Sequence, residues 1–385
     1  MKKVFYLGYF SDIDKEKNRH GFPSADTKMK YVMDAMAKEG YDVEVLSFCG
    51  NDKRDCVWKK DSGYDYTSGD VRIRFFNSYR SRFRILRILG RQLAWMDAKR
   101  YIKQNVCQTD CEVLVYHSPV FYKVAKLLRK CGKPFIYEVE EIYSDVTGNK
   151  KAREKELEQL MQAAGYMFST AMLSRLINIQ HKPEIIVNGT YQTEPDRQIR
   201  LFDEESKNPR VIHCVYAGTL DVNKGGGLFA ASAAACLPEN YHIHILGFGS
   251  PEKVAAFKKS IAPIQQVAKA KLTYDGVLQG EDYVRFLQSC DIGLSTQNPD
   301  AAFNDTSFPS KILSYMANGL RVVSVRIPVI EQSAIGGWMD YYDRPEPQAI
   351  ANAIISAARH ETHDSRKMLE KLDASFRRDL HKIFP

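Results

Sequence analysis

The sequence predicts an α/β protein built from two doubly wound, Rossmann-like domains. Three observations carry this reading. The chain has 385 residues, more than one ordinary hydrophobic core absorbs, so two domains of comparable size are expected. Short β-branched runs alternate with amphipathic helical stretches from end to end, the pattern of parallel sheets covered by helices on both faces. The alternation is interrupted once, from Tyr191 to Pro209, where the sequence turns polar and charged without an apolar period, as a linker does.

In chain order, the first series of expected strands is Lys3 to Gly8, Val43 to Ser47, Val71 to Phe75, Glu112 to Tyr116, Phe135 to Glu138, Tyr166 to Ser169 and Glu184 to Val187, the last closing on Asn188-Gly189. The second series runs Val211 to Tyr216, His242 to Leu246, Lys271 to Tyr274, Ile292 to Ser295 and Arg321 to Val325. The expected organisation is a domain at 1–190, a linker at 191–209, a domain at 210–360 and a helical segment at 361–385 that can pack back on the first domain. Ligands of such sheets bind beyond the carboxyl ends of the strands. The residues to inspect are therefore the strand exits.

Composition narrows the function classes. Apolar residues make up 44% and charged residues 26% of the chain, values of a soluble globular protein. No run approaches the apolar length of a membrane span, and Met1-Lys2-Lys3 leads straight into a strand without a signal-peptide cleavage region, so a cytoplasmic protein is expected. Eight cysteines lie scattered without the paired spacing of zinc sites; only Cys107 and Cys111 are close, and ordinary reduced thiols are expected. The net charge of +8 suits an anionic small molecule, a membrane surface or nucleic acid equally.

The most informative stretch is Ser307-Phe308-Pro309-Ser310-Lys311 and the residues on to Asn318-Gly319, followed by the apolar run Val322 to Val325. It reads as a loop, a helix opening at Pro309 with Ser307 or Asp305 as cap, a glycine stop and a buried strand. Free N–H groups at such an opening face an anion, with Lys311 adding charge. Upstream, Gly218-Thr219 ends a strand and Lys224-Gly225-Gly226-Gly227 enters a helix, a cradle in which backbone N–H groups and one ammonium meet the same phosphate; a plain β-α turn with an exposed lysine has the same sequence. Gly247-Phe248-Gly249 follows another strand, where glycines let backbone approach a ligand.

Taken in order, these motifs resemble the donor half of glycosyltransferase family 4, the group 1 transferases of GT-B fold. The resemblance extends to the first half through the loop at Gly21, the strand ending at His117 and Val187-Asn188-Gly189. It implies two Rossmann-like domains facing a central cleft and a nucleotide-sugar donor held in the second. In the family an Arg and a Lys five residues later hold the diphosphate; here those positions are Thr219 and Lys224. A pair of glutamates eight positions apart meets the donor sugar and the ribose; here they are Thr306 and Ser314, so both carboxylates are absent. Ser314 can meet a ribose hydroxyl, and Asp305, Thr306 or backbone groups are left for the sugar. No metal or other cofactor is expected, since Lys224 and oriented N–H groups would stabilise the leaving diphosphate.

On the acceptor side, His117 ends a buried strand and occupies the place of the family's sugar-contacting histidine. Glu138, Glu140 and Glu141 sit at a strand exit, and alternation sends Glu138 and Glu140 to one face. One of these acids can accept a proton, or all can pair with a basic surface. His20, Gly21 and Ser24 in the first loop, and Tyr143 as a ring for a sugar face, complete the acceptor candidates.

Arg80 to Lys103 holds eight basic residues and one acid, with Trp95 among them. At about 100° per residue, Arg80, Arg84, Arg87 and Arg91 share one arc and Ile85, Leu89, Leu93 and Met96 the opposite one. The expectation is that the apolar arc buries on the sheet while the arginines face anionic lipid headgroups or solvent. Nucleic acid is not expected, because no recognition motif accompanies the charge. The function expected is transfer of a sugar from a nucleotide-sugar to a glycan or lipid-linked acceptor, with retention implied by the resemblance, in surface polysaccharide or related synthesis. A sugar-nucleotide epimerase and a non-catalytic nucleotide- or sugar-binding subunit are the alternatives.

Overall fold

The β-branched runs pair into two sheets, parallel throughout except for one edge strand of the larger. The computed structural model describes residues 1–12, 19–51, 59–61, 63–147, 150–198, 201–202, 210–220, 225–360 and 364–385. These divide into an N-terminal unit, Met1–Thr190 with Ser375–Pro385, and a C-terminal unit, Tyr191–Ala374. Both units have the Rossmann-like build that defines the GT-B fold.

The N-terminal sheet has the order Glu184–Ile186, Gly165–Phe168, Ile136–Val139, Glu112–Tyr116, Lys3–Gly8, Asp42–Ser47, Val71–Phe75, Tyr64–Ser68. Lys3–Gly8 and Asp42–Ser47 are buried at every residue after the first, the mark of strands covered on both faces. The edge strand Tyr64–Ser68 is antiparallel and mostly exposed, and its polar sequence gave no strand signal. Lys3–Gly8 is flanked by Asp42–Ser47 on one side and Glu112–Tyr116 on the other. Strand order reverses at that pair, and their carboxyl ends, Gly8 and Tyr116, mark the crevice where a ligand fits.

The C-terminal sheet has the order Lys271–Gly276, Tyr241–Phe248, Ile212–Thr219, Ile292–Ser295, Arg321–Val325, Met339–Tyr342. The edge strand Met339–Tyr342 was not foreseen. Its reversal point lies between Ile212–Thr219 and Ile292–Ser295, with Gly218 and Thr296 at the exits. Small residues let the helices close on this sheet. Gly293 faces the ring of Tyr315, which a β-carbon would strike, and Tyr315 Oη accepts from Ala217 N at 2.8 Å.

The polar stretch expected as a linker is built into the C-terminal unit over its described residues. Glu194 N donates to Ala317 O at 2.9 Å, and Leu201 N donates to Ser289 Oγ at 2.8 Å. Hydrophobic period could not reveal this, because the attachment is made by backbone groups and by isolated side chains such as Phe202, which stacks on His213. The final helix spans Ser365–Ile383, starting four residues later than the expected segment. Its end lies in the N-terminal unit, where Phe376 stacks on Tyr31 at 5.3 Å and Tyr41 Oη donates to Phe384 O at 3.1 Å. Among the described residues no helix is long and apolar enough to cross a membrane.

Candidate functional site

In the N-terminal unit, the reversal point opens into a cavity of about 720 Å³ lined by Tyr9, Phe22, Ser24, Tyr116, Ser118, Glu141 and Tyr143 among others. Each of these ends a strand, follows one or opens the next helix. Ser24 and Glu141 therefore reach the cavity as the sequence reading placed them, and Tyr143 forms part of its wall. Gly21 lies beside it for a steric reason: a β-carbon would collide with Ser11 Oγ, which together with Ser11 N donates to the buried Asp26 carboxylate. Of His20 only the backbone is described, paired with Gly50 in a two-residue antiparallel ladder.

Behind this wall lies a buried charged cluster. Glu138 is fully buried and accepts from Tyr6 Oη. Burial, with Glu140 nearby, pushes its pKa up to about 8 against the opposing pull of Lys28 and of the Tyr6 hydrogen bond. Lys28 Nζ donates to Val187 O at 3.0 Å and Gly189 O at 3.2 Å, and stands 3.4 Å from Glu140 Oε1. For Glu140 the geometry favours the paired reading, since Lys28 holds it, whereas Glu138 is a closed-in acid favouring its neutral form. Only Glu141 of the three lines the cavity.

His117 is also enclosed. Its side chain is 0% exposed, its Nε2 lies 3.4 Å from both Tyr122 Oη and Glu156 Oε1, and burial drops its pKa to about 3 against a weaker contribution from the Glu141 backbone. It packs edge-on to Tyr143, ring centroids 5.4 Å apart. The imidazole is thus neutral and one layer behind the cavity surface, bracing Tyr143 rather than presenting a nitrogen. A strand-exit histidine in the sequence cannot distinguish those two places.

Two further cavities adjoin the first. One of about 810 Å³ shares Tyr9, Phe48, Gly50 and Val120 with it and continues past Phe76, Tyr79 and Trp95. Another of about 420 Å³ is lined by Arg80, Arg82, Arg87 and Arg91. The helix Arg84–Tyr101 forms part of both, and its orientation overturns the expectation from sequence. Gly90 and Ala98 are its buried residues. A β-carbon at Gly90 would lie 2.5 Å from Tyr79 Cβ, so close backbone approach through small side chains, spaced eight apart, decides the packed face. The arc expected inside faces out: Ile85 is 73% exposed and Met96 57%, with Ile88, Leu89 and Leu93 alongside. The arginines Arg84, Arg87 and Arg91 are exposed as expected, and Arg87 and Arg91 also line the smaller pocket.

In the C-terminal unit the reversal point is built around Gly218. A β-carbon there would lie 3.0 Å from Tyr216 Oη and 3.3 Å from Lys311 Nζ, and Lys311 Nζ rests 4.2 Å above the Tyr216 ring. Gly226, at the start of the next helix, passes Thr296 so closely that a β-carbon would meet its carbonyl at 2.6 Å, and Thr296 Oγ1 donates to Gly226 O at 2.7 Å. The exit thus carries a cation, exposed Thr219, Gly218 against the Tyr216 and Lys311 side chains, and Gly226 in close backbone contact with Thr296. Lys224 lies outside the described residues. Gly247 serves packing: a β-carbon would meet Leu220 Cδ2 at 2.5 Å. Gly249 precedes the helix Pro251–Val267, capped by Ser250.

The expected opening of the later helix is corrected. It spans Lys311–Ala317, with Ser310 as N-cap in helical conformation and no side-chain cap bond. Pro309 is therefore not its first helical residue, and neither Ser307 nor Asp305 caps it. Two turns of helix supply little dipole. Phe308 and Thr306 are buried, Asp305 is exposed, and Ser314 is half-buried with Oγ 3.4 Å from Tyr283 Oη. The glycine stop holds: Gly319 has φ of 85°.

Lys28 and Asp26 are the residues that sequence reasoning missed. Both fall on the apolar stripe of the helix Pro23–Lys38, beside Met29, Val32 and Met33. A charged residue inside an apolar stripe near a helix start is a readable signal of a buried polar site.

Residues 212–360 match the family model described as glycosyl transferases group 1. No curated protein sequence matches the chain. Among solved structures, the chain is similar to sucrose-phosphate synthase from Thermosynechococcus elongatus, at 12% identity over 100% of this chain and 98% of that one, TM-score 0.63. It is similar to an α,α-trehalose-phosphate synthase (UDP-forming) from Burkholderia xenovorans in complex with glucose-6-phosphate, at 11% identity over 98% and 97%, TM-score 0.64. HepE of Anabaena in complex with UDP and glucose is similar at 13% identity over 97% and 95%, TM-score 0.59. At these identities the likeness establishes the fold.

Proposed function

We propose that the protein transfers a sugar from a nucleotide-sugar to a lipid-linked or glycan acceptor, a reading supported by the match of residues 212–360 to the glycosyl transferases group 1 model within a chain of GT-B fold. The observation that carries the donor half is the Lys311 ammonium beside Gly218 at the sheet's reversal point, a cation and a residue without a side chain where a diphosphate would be held. Gly218, Thr219, Lys224 and Lys311 hold the diphosphate; Ser314 meets the ribose; Asp305 and Thr306 are the side chains nearest the family's sugar position. HepE is in complex with UDP and glucose, and one trehalose-phosphate synthase is UDP-forming, which makes UDP-sugars the first donors to try. Charge on the departing β-phosphate is stabilised by Lys224 and Lys311, and loss of one such group costs about 3 kcal/mol of barrier.

The acceptor half is read from the N-terminal unit. Glu141, which lines the cavity, is the side chain assigned to take the acceptor proton, with Tyr143 and Tyr9 as rings for a sugar face. The arginine-lined pocket suits a diphosphate, and the adjoining apolar cavity and exposed stripe of Arg84–Tyr101 suit a lipid chain in a membrane surface. This favours a lipid-linked acceptor at a membrane surface; surface polysaccharide synthesis at the inner face of the plasma membrane and retention of anomeric configuration rest on the family resemblance alone. The second reading is a non-catalytic nucleotide-binding subunit, favoured by neutral Thr306 and Ser314 at the positions of the family's two glutamates.

The test is incubation with a panel of nucleotide-sugars, with and without polyprenyl-diphosphate-linked sugars, reading nucleoside diphosphate release and the anomeric proton of the product. Acceptor-dependent release supports transfer, and an α product from an α donor supports retention. Nucleotide binding with no release under any pairing favours the subunit reading. Conversion of the sugar while its nucleotide stays attached would mean an epimerase.

A further inference from the structure

Three imidazoles crowd one face of the C-terminal sheet at the amino end of its strands. His213 pairs in register with His242 on the neighbouring strand, and His244 lies two residues on, on the same face. All three are buried, and one ring nitrogen from each lies within 4.8 Å of the other two. His213 Nδ1 and His244 Nε2 are 3.0 Å apart. Phe202 stacks on both rings, 4.3 Å from His213 and 4.7 Å from His244.

The surrounding hydrogen bonds decide which nitrogens carry protons. Asp275 Oδ2 lies 3.2 Å from His244 Nδ1, so that nitrogen donates and His244 Nε2 keeps its lone pair toward His213. Thr273 Oγ1 spends its one proton on Asp275 Oδ2 at 2.8 Å, so it accepts from His242 Nε2 at 3.0 Å, leaving a lone pair on His242 Nδ1. A carboxylate behind a ligating imidazole is the usual outer support of a metal-bound histidine.

We infer that His213, His242 and His244 bind a divalent transition-metal ion of the zinc class, with Asp275 and Thr273 orienting the ligands. Three imidazole nitrogen donors with no thiolate suit zinc above calcium or magnesium. Zinc needs nitrogens about 2.0 to 2.1 Å from the ion, so the rings draw in slightly and the His213 to His244 hydrogen bond gives way to the metal. The site lies about five residues, roughly 16 Å, before the Gly218 exit of the same strand. It is a structural clamp joining two strands beneath the Phe202 segment, and does not depend on the proposed transfer.

The experiment uses the untagged full chain, stripped with chelator and titrated with zinc. About one ion per chain is expected to return, with a melting temperature raised by about 5 °C at saturating zinc. Cobalt(II) should give visible ligand-field absorption in the wild type, and His213→Gln and His242→Gln should weaken binding at least tenfold. Stripped wild type that takes up no zinc and shows no melting shift overturns the inference, whether or not the variants fold; so do folded variants that bind zinc as tightly as wild type.

Discussion

Lys28 Nζ stands 3.4 Å from Glu140 Oε1 at the carboxyl edge of the N-terminal sheet, with the lysine side chain 6% exposed and the glutamate 26%. Two backbone carbonyls, of Val187 and Gly189, take further Lys28 protons. The lysine thus ties the end of the last strand to the acidic strand exit behind the cavity wall.

Removing that ammonium should be costly. Breaking one side of a fully buried pair costs about 3 to 5 kcal/mol, and the partial exposure of Glu140 brings Lys28→Met to about 2 to 3 kcal/mol. Urea unfolding should show the loss as a lower midpoint at unchanged slope, with part of it restored in Lys28→Met/Glu140→Gln. A single variant within about 0.5 kcal/mol of wild type would show that the pair contributes nothing measurable.

Glu138 gives the N-terminal unit a pH signature. Its folded pKa, up to about 8, lies above the ordinary value of 4.5. Between those values the folded state holds a proton that the unfolded state has released. Its contribution is complete below about pH 4.5, falls as pH rises towards 8 and is gone above, with a limiting slope of about 1.4 kcal/mol per pH unit. Glu138→Gln should flatten this part of the stability profile, measured by unfolding between pH 5 and 8.5. An unchanged slope in the variant would assign the titration elsewhere.

The sheets were legible because their strands are continuous apolar runs: Lys3–Gly8, Glu112–Tyr116 and Ile292–Ser295 have the bounds expected from sequence, and the order of motifs pointed to the strand exits where the cavity and Lys311 are found. Patterns that periodicity ranks wrongly were not legible. In Arg84–Tyr101 a rule that sends large apolar residues inward misplaced the helix, because Gly90 and Ala98 allow closer packing than Leu89 or Leu93 would. His117 and Glu138 were visible as residue types at strand exits, but one layer of depth separates a cavity wall from its backing. The histidine row was invisible as a unit because it takes shape only when strand register places His213 beside His242.

Lys311 should matter for nucleotide binding and little for folding. Its ammonium lies over the Tyr216 ring at 4.2 Å, a contact worth about 0.5 to 1 kcal/mol. A charge-assisted bond to a diphosphate contributes about 1.5 to 3 kcal/mol. Lys311→Met should therefore weaken nucleoside diphosphate binding by roughly ten- to a hundredfold in calorimetry, while the melting temperature of the free protein moves by only a few degrees. Equal affinity in the folded variant would remove Lys311 from the donor site. Gly218→Ala should act on the same readout, since its β-carbon would press on Tyr216 Oη at 3.0 Å and on Lys311 Nζ at 3.3 Å.

The exposed stripe of Arg84–Tyr101 yields the last prediction. Ile85, Ile88, Leu89, Leu93 and Met96 are between 41% and 73% exposed, and a contiguous apolar patch on a surface helix signals a partner or a membrane. Each side chain sunk into the acyl boundary contributes about 1.5 to 3 kcal/mol at full burial, and basic residues near an anionic surface add about 1 kcal/mol each. Flotation with vesicles of mixed zwitterionic and anionic lipid should carry the wild-type chain upward. Leu89→Ser/Leu93→Ser should cut that binding at least tenfold at every salt concentration, whereas Arg87→Gln/Arg91→Gln should weaken it chiefly at low salt, where the attraction is least screened. Because these leucines face solvent, their loss should leave the unfolding midpoint near that of wild type, so reduced flotation cannot be ascribed to unfolding. Serine variants that float as well as wild type would assign the stripe to something other than a bilayer.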